Sequence, residues 1–381
     1  MASSSPCARA PSVPPWPSSF SPGVARKSQR ATSPARSEAR LSTGSERVAW
    51  QRARSSLLAV LRAFFAERDF CEVSTPCLAR HADPALHLDS FRTSTSLPDG
   101  REVELFLPTS PEFFMKRLLV DGLERIYQIC PFFRRGELSP RHHPQFTGLE
   151  WYQVGMGLEQ LMAQTELLVR HCAAGLQENL LLAAGCRKIL QAAAFPRLTL
   201  RQACRELAGV ELPEDFAEAG VRRALAEAGV YHAADDGLDD LVNRVLIERV
   251  EPRLNRYPAV FISEYPAAMA ALARLDPARP WLAERFELYL GGMEIANGYH
   301  ELGDARQQRR RFEEQLRLRK SRRLPEVALD EAFLRALEQG LPDCSGCALG
   351  VDRLLMFLGG EDRIARVLAF SLEEELGGFS D

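Results

Sequence analysis

Phe133-Arg134-Arg135-Gly136-Glu137, followed by Arg141-His142-His143-Pro144-Gln145-Phe146 and then Glu150-Trp151-Tyr152, is the stretch on which the reading of this chain turns. Apolar ends around a polar middle punctuated by Gly and Pro predict a strand, a loop and a returning strand. Such a hairpin aims Arg134 from a sheet into a cleft, where a guanidinium can grip a phosphate through two parallel hydrogen bonds. Phe146 offers a flat face to a purine. The same residues would also suit a polar surface loop over core aromatics, so the segment takes its meaning from its neighbours.

Downstream, Glu294-Ile295-Ala296-Asn297-Gly298-Tyr299-His300-Glu301 contains Asn-Gly, the strongest two-residue hairpin signal. With 297 and 298 as the loop, 294 pairs with 301 and two carboxylates oppose each other with Cβ atoms ~5 Å apart. Like charges at that distance call for a cation between them, Mg²⁺ or a substrate ammonium. A register slip would leave two solvated glutamates instead. In Ala348-Leu349-Gly350-Val351-Asp352-Arg353, at a strand-to-helix junction, Gly350 permits close backbone approach. Arg353 in the first helical turn faces an anion or snorkels to water. Upstream, Thr109-Ser110-Pro111-Glu112 reads as a helix start, with Ser110 as N-cap and Pro111 at the first helical position, and it leaves Glu112 unexplained.

The rest of the 381 residues sets the frame. Hydrophobic residues at 46% and charged residues at 26%, with a net charge of −3, describe a chain able to build a substantial core. They exclude collagen-like, coiled-coil and wholly disordered classes, and no apolar run reaches the ~20 residues of a membrane span. Of 48 basic residues only Lys27, Lys116, Lys188 and Lys320 are lysines, so a single Arg carries little information. Nine scattered Cys suit a reducing cytosol, and the lone Cys344-Ser-Gly-Cys347 pair reads as two buried thiols or, failing that, as half of a metal or redox site. Residues 1–45, rich in Ser, Pro and Arg, are expected to be a disordered leader, with a transit peptide or an upstream extension as alternatives.

From residue 46 a helical stripe of Leu57, Leu58, Leu61, Phe64 and Phe65 opens a domain running to 381. Strand-like runs bracket a mostly helical block at about 158–250, expected to be an insertion. Without regular βα alternation, this order predicts an α+β fold on a largely antiparallel sheet rather than a doubly wound one. No G-x-G-x-x-G or Walker A loop is present.

Taken in order, these segments resemble the three motifs of the class II aminoacyl-tRNA synthetases: Phe70 to Pro76, Phe133 to Glu150, and Gly350-x-Asp-Arg353. The wording is closest to the lysyl branch. Within it the chain is most similar to the ligases that attach (R)-β-lysine to elongation factor P, which are truncated paralogues of lysyl-tRNA synthetase. A five-stranded anticodon-binding barrel cannot be built from 45 Ser/Pro/Arg-rich residues. Ala348 stands where the tRNA synthetases usually carry Gly, and its methyl would reshape the lysine pocket.

The resemblance implies an ATP- and Mg²⁺-dependent enzyme that adenylates lysine or (R)-β-lysine and passes it to a lysine of elongation factor P. It further implies a cytoplasmic homodimer built on the first motif, with no membrane partner. Catalysis would fall to Arg134, Glu294 and Arg353. ATP would meet Arg134, Arg135, Gly136, Glu137, His143, Phe146, Glu294, Ile295, Gly350 and Arg353. Ser110, Pro111, Glu112, Tyr152, Asn297, Glu301 and Ala348 would form the amino-acid pocket, and Glu294 with Glu301 would hold the metal. Two positions depart from the pattern: Gly136 replaces the Glu that reads adenine, for which Glu137 would substitute by a loop shift, and His143 replaces Asn.

A truncated lysyl-tRNA synthetase or other tRNA-directed ligase is the main rival reading. It would reach RNA through basic residues of the leader or of the helix at 306–323, which holds nine basic and two acidic residues. That helix otherwise reads as a solvated face with Phe312 and Leu316 packed inward, or as a dock for an acidic protein. tRNA is the less favoured partner. A second rival, an inactive synthetase-like binding module, is disfavoured by the retention of Arg134, Glu294, Glu301 and Arg353.

Overall fold

Alternation along single strands explains how this molecule separates its core from its cavity. The computed structural model describes residues 44–377; the expected leader lies outside them apart from Gly44 and Ser45, which begin the first helix. The strands are β1 (Cys71–Glu72), β2 (Arg92–Ser96), β3 (Glu102–Phe106), β4 (Arg125–Phe133), β5 (Gln145–Val154), β6 (Arg197–Thr199), β7 (Ala259–Pro266), β8 (Leu282–Leu290), β9 (Met293–His300) and β10 (Cys344–Gly350). The helices are α1 (Gly44–Ala66), α2 (Glu112–Val120), α3 (Leu158–Leu176), α4 (Ala183–Gln191), α5 (Leu200–Ala203), α6 (Glu218–Glu227), α7 (Leu238–Val245), α8 (Glu251–Leu254), α9 (Ala305–Ser321), α10 (Glu331–Gly340), α11 (Val351–Gly359) and α12 (Leu372–Glu375).

Eight strands form one sheet in the order β1-β4-β5-β10-β9-β8-β7-β6, and β2 and β3 form a separate hairpin. The six inner strands of the large sheet are antiparallel and only its edge strands, β1 and β6, pair in parallel. This is the α+β class anticipated above.

On β5, Leu149 and Trp151 enter the main core while Glu150 and Tyr152 face a cavity, as a period of two requires. On α1, Trp50, Ala53, Leu57, Leu61, Phe64 and Phe65 are buried at helical spacing. Phe65 stacks on Tyr127 of β4 at 4.5 Å and tilts against Trp151 at 5.7 Å. The segment 158–250 is helical apart from β6, but its halves serve different cores: α3 and α4 pack in the main one, and residues 200–254 form a second one against β7. Cys344 and Cys347 are buried free thiols of β10.

The Asn297-Gly298 hairpin does not form. Both residues lie inside the continuous strand β9, and the turn is made at Gly291 and Gly292, which take φ of +56° and +79°. The reason is tertiary. Gly298 pairs with Phe286 of β8, whose ring lies across it so closely that a Cβ would sit 2.5 Å from the ring. The glycine therefore makes room for an aromatic ring rather than a reversal of the chain.

Candidate active site

The β4–β5 hairpin supplies one end of the cavity. Its ladder runs from Arg125 opposite Gln153 to Phe133 opposite Gln145, so the chain leaves the sheet at Arg134. The Arg134 N–H donates to the Pro144 carbonyl at 2.9 Å and closes the loop at its base. The guanidinium lies 5.2 Å from the centroid of the Phe146 ring and 3.6 Å from Glu137. Its Nε is buried with no hydrogen-bond partner among the described residues. An unsatisfied buried donor costs about 1–3 kcal/mol, which a phosphate oxygen arriving there would recover.

Glu137 and His143 line the cavity, whereas Arg135 and Gly136 do not. Gly136 takes φ +84° in the loop. Arg135 turns to Asp89, with its N–H on the Asp89 carbonyl at 2.8 Å and its guanidinium 3.1 Å from the carboxylate. The imidazole of His143 is occupied, with Nδ1 2.6 Å from the Gln145 carbonyl and Nε2 accepting the Leu372 N–H at 2.9 Å.

The β10–α11 junction brings Arg353 to the same end. Its Nη1 donates to the Glu294 carbonyl at 2.9 Å and lies 3.4 Å from the Glu294 carboxylate. Its Nη2 donates to Nε2 of His142 at 2.7 Å. Burial, then the charge of Arg353, holds the His142 pKa below its usual value, so the ring is neutral and free to accept. Asp352, also at the cavity wall, serves the scaffold. It pairs with Arg54 of α1 and accepts the Thr147 N–H at 2.6 Å, tying α11 to β5.

At the opposite end the groups are mostly buried and mutually paired. Pro111 caps α2 and does not line the cavity, one residue away from the expected cap at Ser110; the Ser110 Oγ still accepts the Glu112 N–H at 3.0 Å. The same hydroxyl donates to Glu150 at 2.7 Å, and the Tyr152 hydroxyl donates to the other Glu150 oxygen at 2.6 Å. Burial, then the charge of Glu112, pushes the Glu150 pKa up to about 7. Glu301, just past β9, pairs with Lys116 at 2.5 Å, and Lys116 also donates to Glu112 at 2.6 Å. Burial pushes Glu301 up to about 8 against the pull of Lys116. Ala348 stands opposite both Glu150 and Asn297 across its two ladders, so its methyl narrows this end.

The two ends belong to one cavity of about 350 Å³. Along β9 a bulge at Ile295 resets the alternation, and Glu294, Asn297, Tyr299 and Glu301 all line it. Glu301 therefore follows Glu294 along the same extended run, just past the end of β9, instead of facing it. Seven residues apart, they are separated by on the order of 20 Å, too far to share one ion. That overturns the paired-carboxylate argument and the assignment of Glu301 to a metal.

The carboxylates that influence one another are Glu251, Glu287 and Glu294: burial, then Glu294 and Glu287, pushes Glu251 up to about 7. Glu287 is engaged by the Tyr265 and Tyr289 hydroxyls at 2.5 and 2.7 Å and by Arg285 at 2.5 Å. Mutual repulsion here fits a divalent cation held from Glu294. The one group of three potential ligand atoms close enough together to hold a metal among the described residues is His87, Asp239 and Asp240, outside the cavity.

Sequence reasoning gave no role to Glu150, Lys116, His142, Glu251 or Glu287. Only Lys116 left a usable trace, a lysine one helical turn after Glu112 in a chain that otherwise uses arginine.

An antiparallel sheet that holds two arginines at one end of a cavity, an aromatic face beside them and a carboxylate pocket beyond defines an amino-acid-activating enzyme of the class II synthetase type. Residues 40–374 match the family of class II tRNA synthetases for D, K and N, and the chain belongs to that family. Among its relatives is the elongation factor P–(R)-β-lysine ligase of Salmonella gallinarum (strain 287/91 / NCTC 13346), 36% identical over 323 residues, which are 84% of this chain and 94% of the relative. The ligases of the same name from Salmonella heidelberg (strain SL476) and Salmonella enteritidis PT4 (strain P125109) match to the same extent. Among the described residues no helix is long and apolar enough to cross a membrane.

Proposed function

We propose that this protein is an AMP-forming ligase that activates lysine or (R)-β-lysine and transfers it to the ε-amino group of a lysine on elongation factor P. The observation that carries the reading is the cavity's polarity, with arginines at one end and three carboxylates at the other, the buried Glu150 and Glu301 and the half-buried Glu112. The similarity to ligases of that name over 94% of their length supports the choice of acceptor.

A lysine molecule spans such a cavity with its carboxylate toward Arg134 and its ammonium groups among the glutamates. One carboxylate oxygen attacks the α-phosphorus of ATP, pyrophosphate departs, and a mixed anhydride with AMP remains. Arg134, through its unpartnered Nε, and Arg353 stabilise charge growing on the phosphoryl oxygens. Phe146 stacks on the adenine, and Glu137 takes the place beside it that Gly136 leaves empty. Mg²⁺ held from Glu294 supplies further charge neutralisation when bound. In the second step the acceptor amine attacks the anhydride carbonyl, loses a proton and releases AMP. No side-chain nucleophile is needed, so catalysis rests on positioning.

The proposed setting is the cytoplasm, as a homodimer without tRNA as partner; a monomer by light scattering at micromolar concentration would refute the assembly. Lysine- or (R)-β-lysine-dependent pyrophosphate exchange, followed by transfer to elongation factor P, tests the activity. Transfer to tRNA in preference to elongation factor P would overturn it.

A further inference from the structure

An amine-binding pocket is an odd place for a buried lysine, yet Lys116 is 1% exposed at its centre. It extends from α2 between Glu112, one turn before it, and Glu301, with Nζ 2.6 and 2.5 Å from their carboxylate oxygens. The third carboxylate, Glu150, is held only by the neutral hydroxyls of Ser110 and Tyr152. Lys116 is also the cation whose charge acts on both Glu150 and Glu301. Burial raises the Tyr152 and Tyr299 phenols on β5 and β9 and the Cys344 thiol on β10, and Arg285 of β8, whose charge acts on Tyr299, is already paired with Glu287 at 2.5 Å. Asp83, whose carboxyl is likewise raised by burial, approaches from the loop before β2.

We propose that Lys116 is an internal counter-ion that sets the ionised pocket to a net charge of minus two, the complement of a substrate with two ammonium groups. The inference rests on the proposed activation of lysine or (R)-β-lysine and says how that site selects it. Three carboxylates without Lys116 would have to share protons, because like charges this close resist joint ionisation. With it, one ammonium holds both Glu112 and Glu301 in place, and each carboxylate keeps lone pairs for an incoming amine. A substrate with one ammonium leaves a buried carboxylate uncompensated and is disfavoured. Lys116 is thus a positioning residue: it meets the substrate through Glu112 and Glu301.

The test uses the full-length protein and pyrophosphate exchange from pH 6 to 9. Lys116→Met is expected to raise the lysine KM at least about 10-fold, to leave kcat and the ATP KM within about threefold, and to shift the pH profile of kcat/KM upward by about one unit. Lys116→Arg, which keeps the charge, is expected to retain the original pH profile even where its bulk raises KM. An unchanged KM and profile in Lys116→Met, or an equal shift in Lys116→Arg, would overturn the inference.

Calorimetry on the unmutated protein provides a check that needs no variant. Near pH 8.5, in two buffers of different ionisation enthalpy, lysine is expected to bind without net proton uptake and norleucine with uptake of about one proton. Equal uptake with both would refute a charge of minus two. No lysine-dependent exchange in the unmutated protein would instead sink the functional reading itself, so the two failures are distinguishable.

Discussion

The two ends of the cavity are built on opposite plans. At the amine end Lys116, Glu150, Tyr152 and Glu301 are each at most 5% exposed and are held by one another. At the phosphate end the side chains of Arg134, Arg353 and Glu294 are 29%, 21% and 38% exposed. A charge buried with fixed partners is costly to form and precise in what it accepts; a half-exposed arginine waits for its anion. The contrast separates recognition, built into the empty protein, from transition-state stabilisation, completed only when nucleotide arrives.

Breaking the phosphate end should give the largest effect. Arg134→Ala removes a charge that acts mainly as the α-phosphorus expands its coordination, so pyrophosphate exchange should fall at least about 10³-fold. Because its ion pair with Glu137 is long, at 3.6 Å, and partly exposed, the melting temperature should barely move. Retained exchange would show that Arg134 does not meet the phosphate. Altering the amine end should act on KM instead. Glu150→Gln keeps the shape and both hydroxyl partners nearby but loses the charge, and roughly a 10- to 100-fold rise in the lysine KM is expected, with the ATP KM unchanged. An equal rise in both would mean that the two ends are not separate sites.

The phosphate end was largely legible in the sequence and the amine end was not, for a physical reason. Arg134, Phe146 and Arg353 sit at element boundaries that local signals announce: a loop between two strands and a strand-to-helix junction. The amine pocket depends on α2 being laid against β5 and the end of β9, a juxtaposition of residues 112–116, 150 and 301 that no local pattern encodes. The Asn-Gly misreading has the same origin, since Phe286 lies twelve residues away and decides what Gly298 does. The basic helix is another case. Phe312 is buried as its spacing suggests. But Arg311 donates to the Ala271 and Ala273 carbonyls, and Arg319 to those of Ala85 and Leu88, so two of its arginines fasten loops beside the cavity.

Gly298→Ala measures how firmly the shared strand supports both ends. The new methyl would meet the Phe286 ring at 2.5 Å and the Leu161 side chain at 3.1 Å. Overpacking of this kind costs about 1–3 kcal/mol, which chemical denaturation would read. If β9 transmits the strain, both KM values rise; if the core absorbs it through Phe286, only stability falls. A neutral result in denaturation would mean that the glycine is not required by the ring.

The smallest effect is the most specific to the amine end, and its sign follows from linkage. Glu150 and Glu301 titrate near 7 and 8 in the folded protein, above the ordinary glutamate value, so the folded state binds more protons than the unfolded chain between about pH 4.5 and 8. Their contribution to stability is therefore greatest at the acidic side of that window and is lost as pH rises through 7 and 8. Lysine reverses the balance, because its ammonium groups favour ionised carboxylates. The melting temperature of the free protein is expected to fall by several degrees, about 3 °C or more, between pH 6 and 9. Saturating lysine should remove most of that fall, whereas ATP alone, bound at the other end, should leave it in place. A fall that ATP removes as well as lysine does would mean that the two ends titrate as one site.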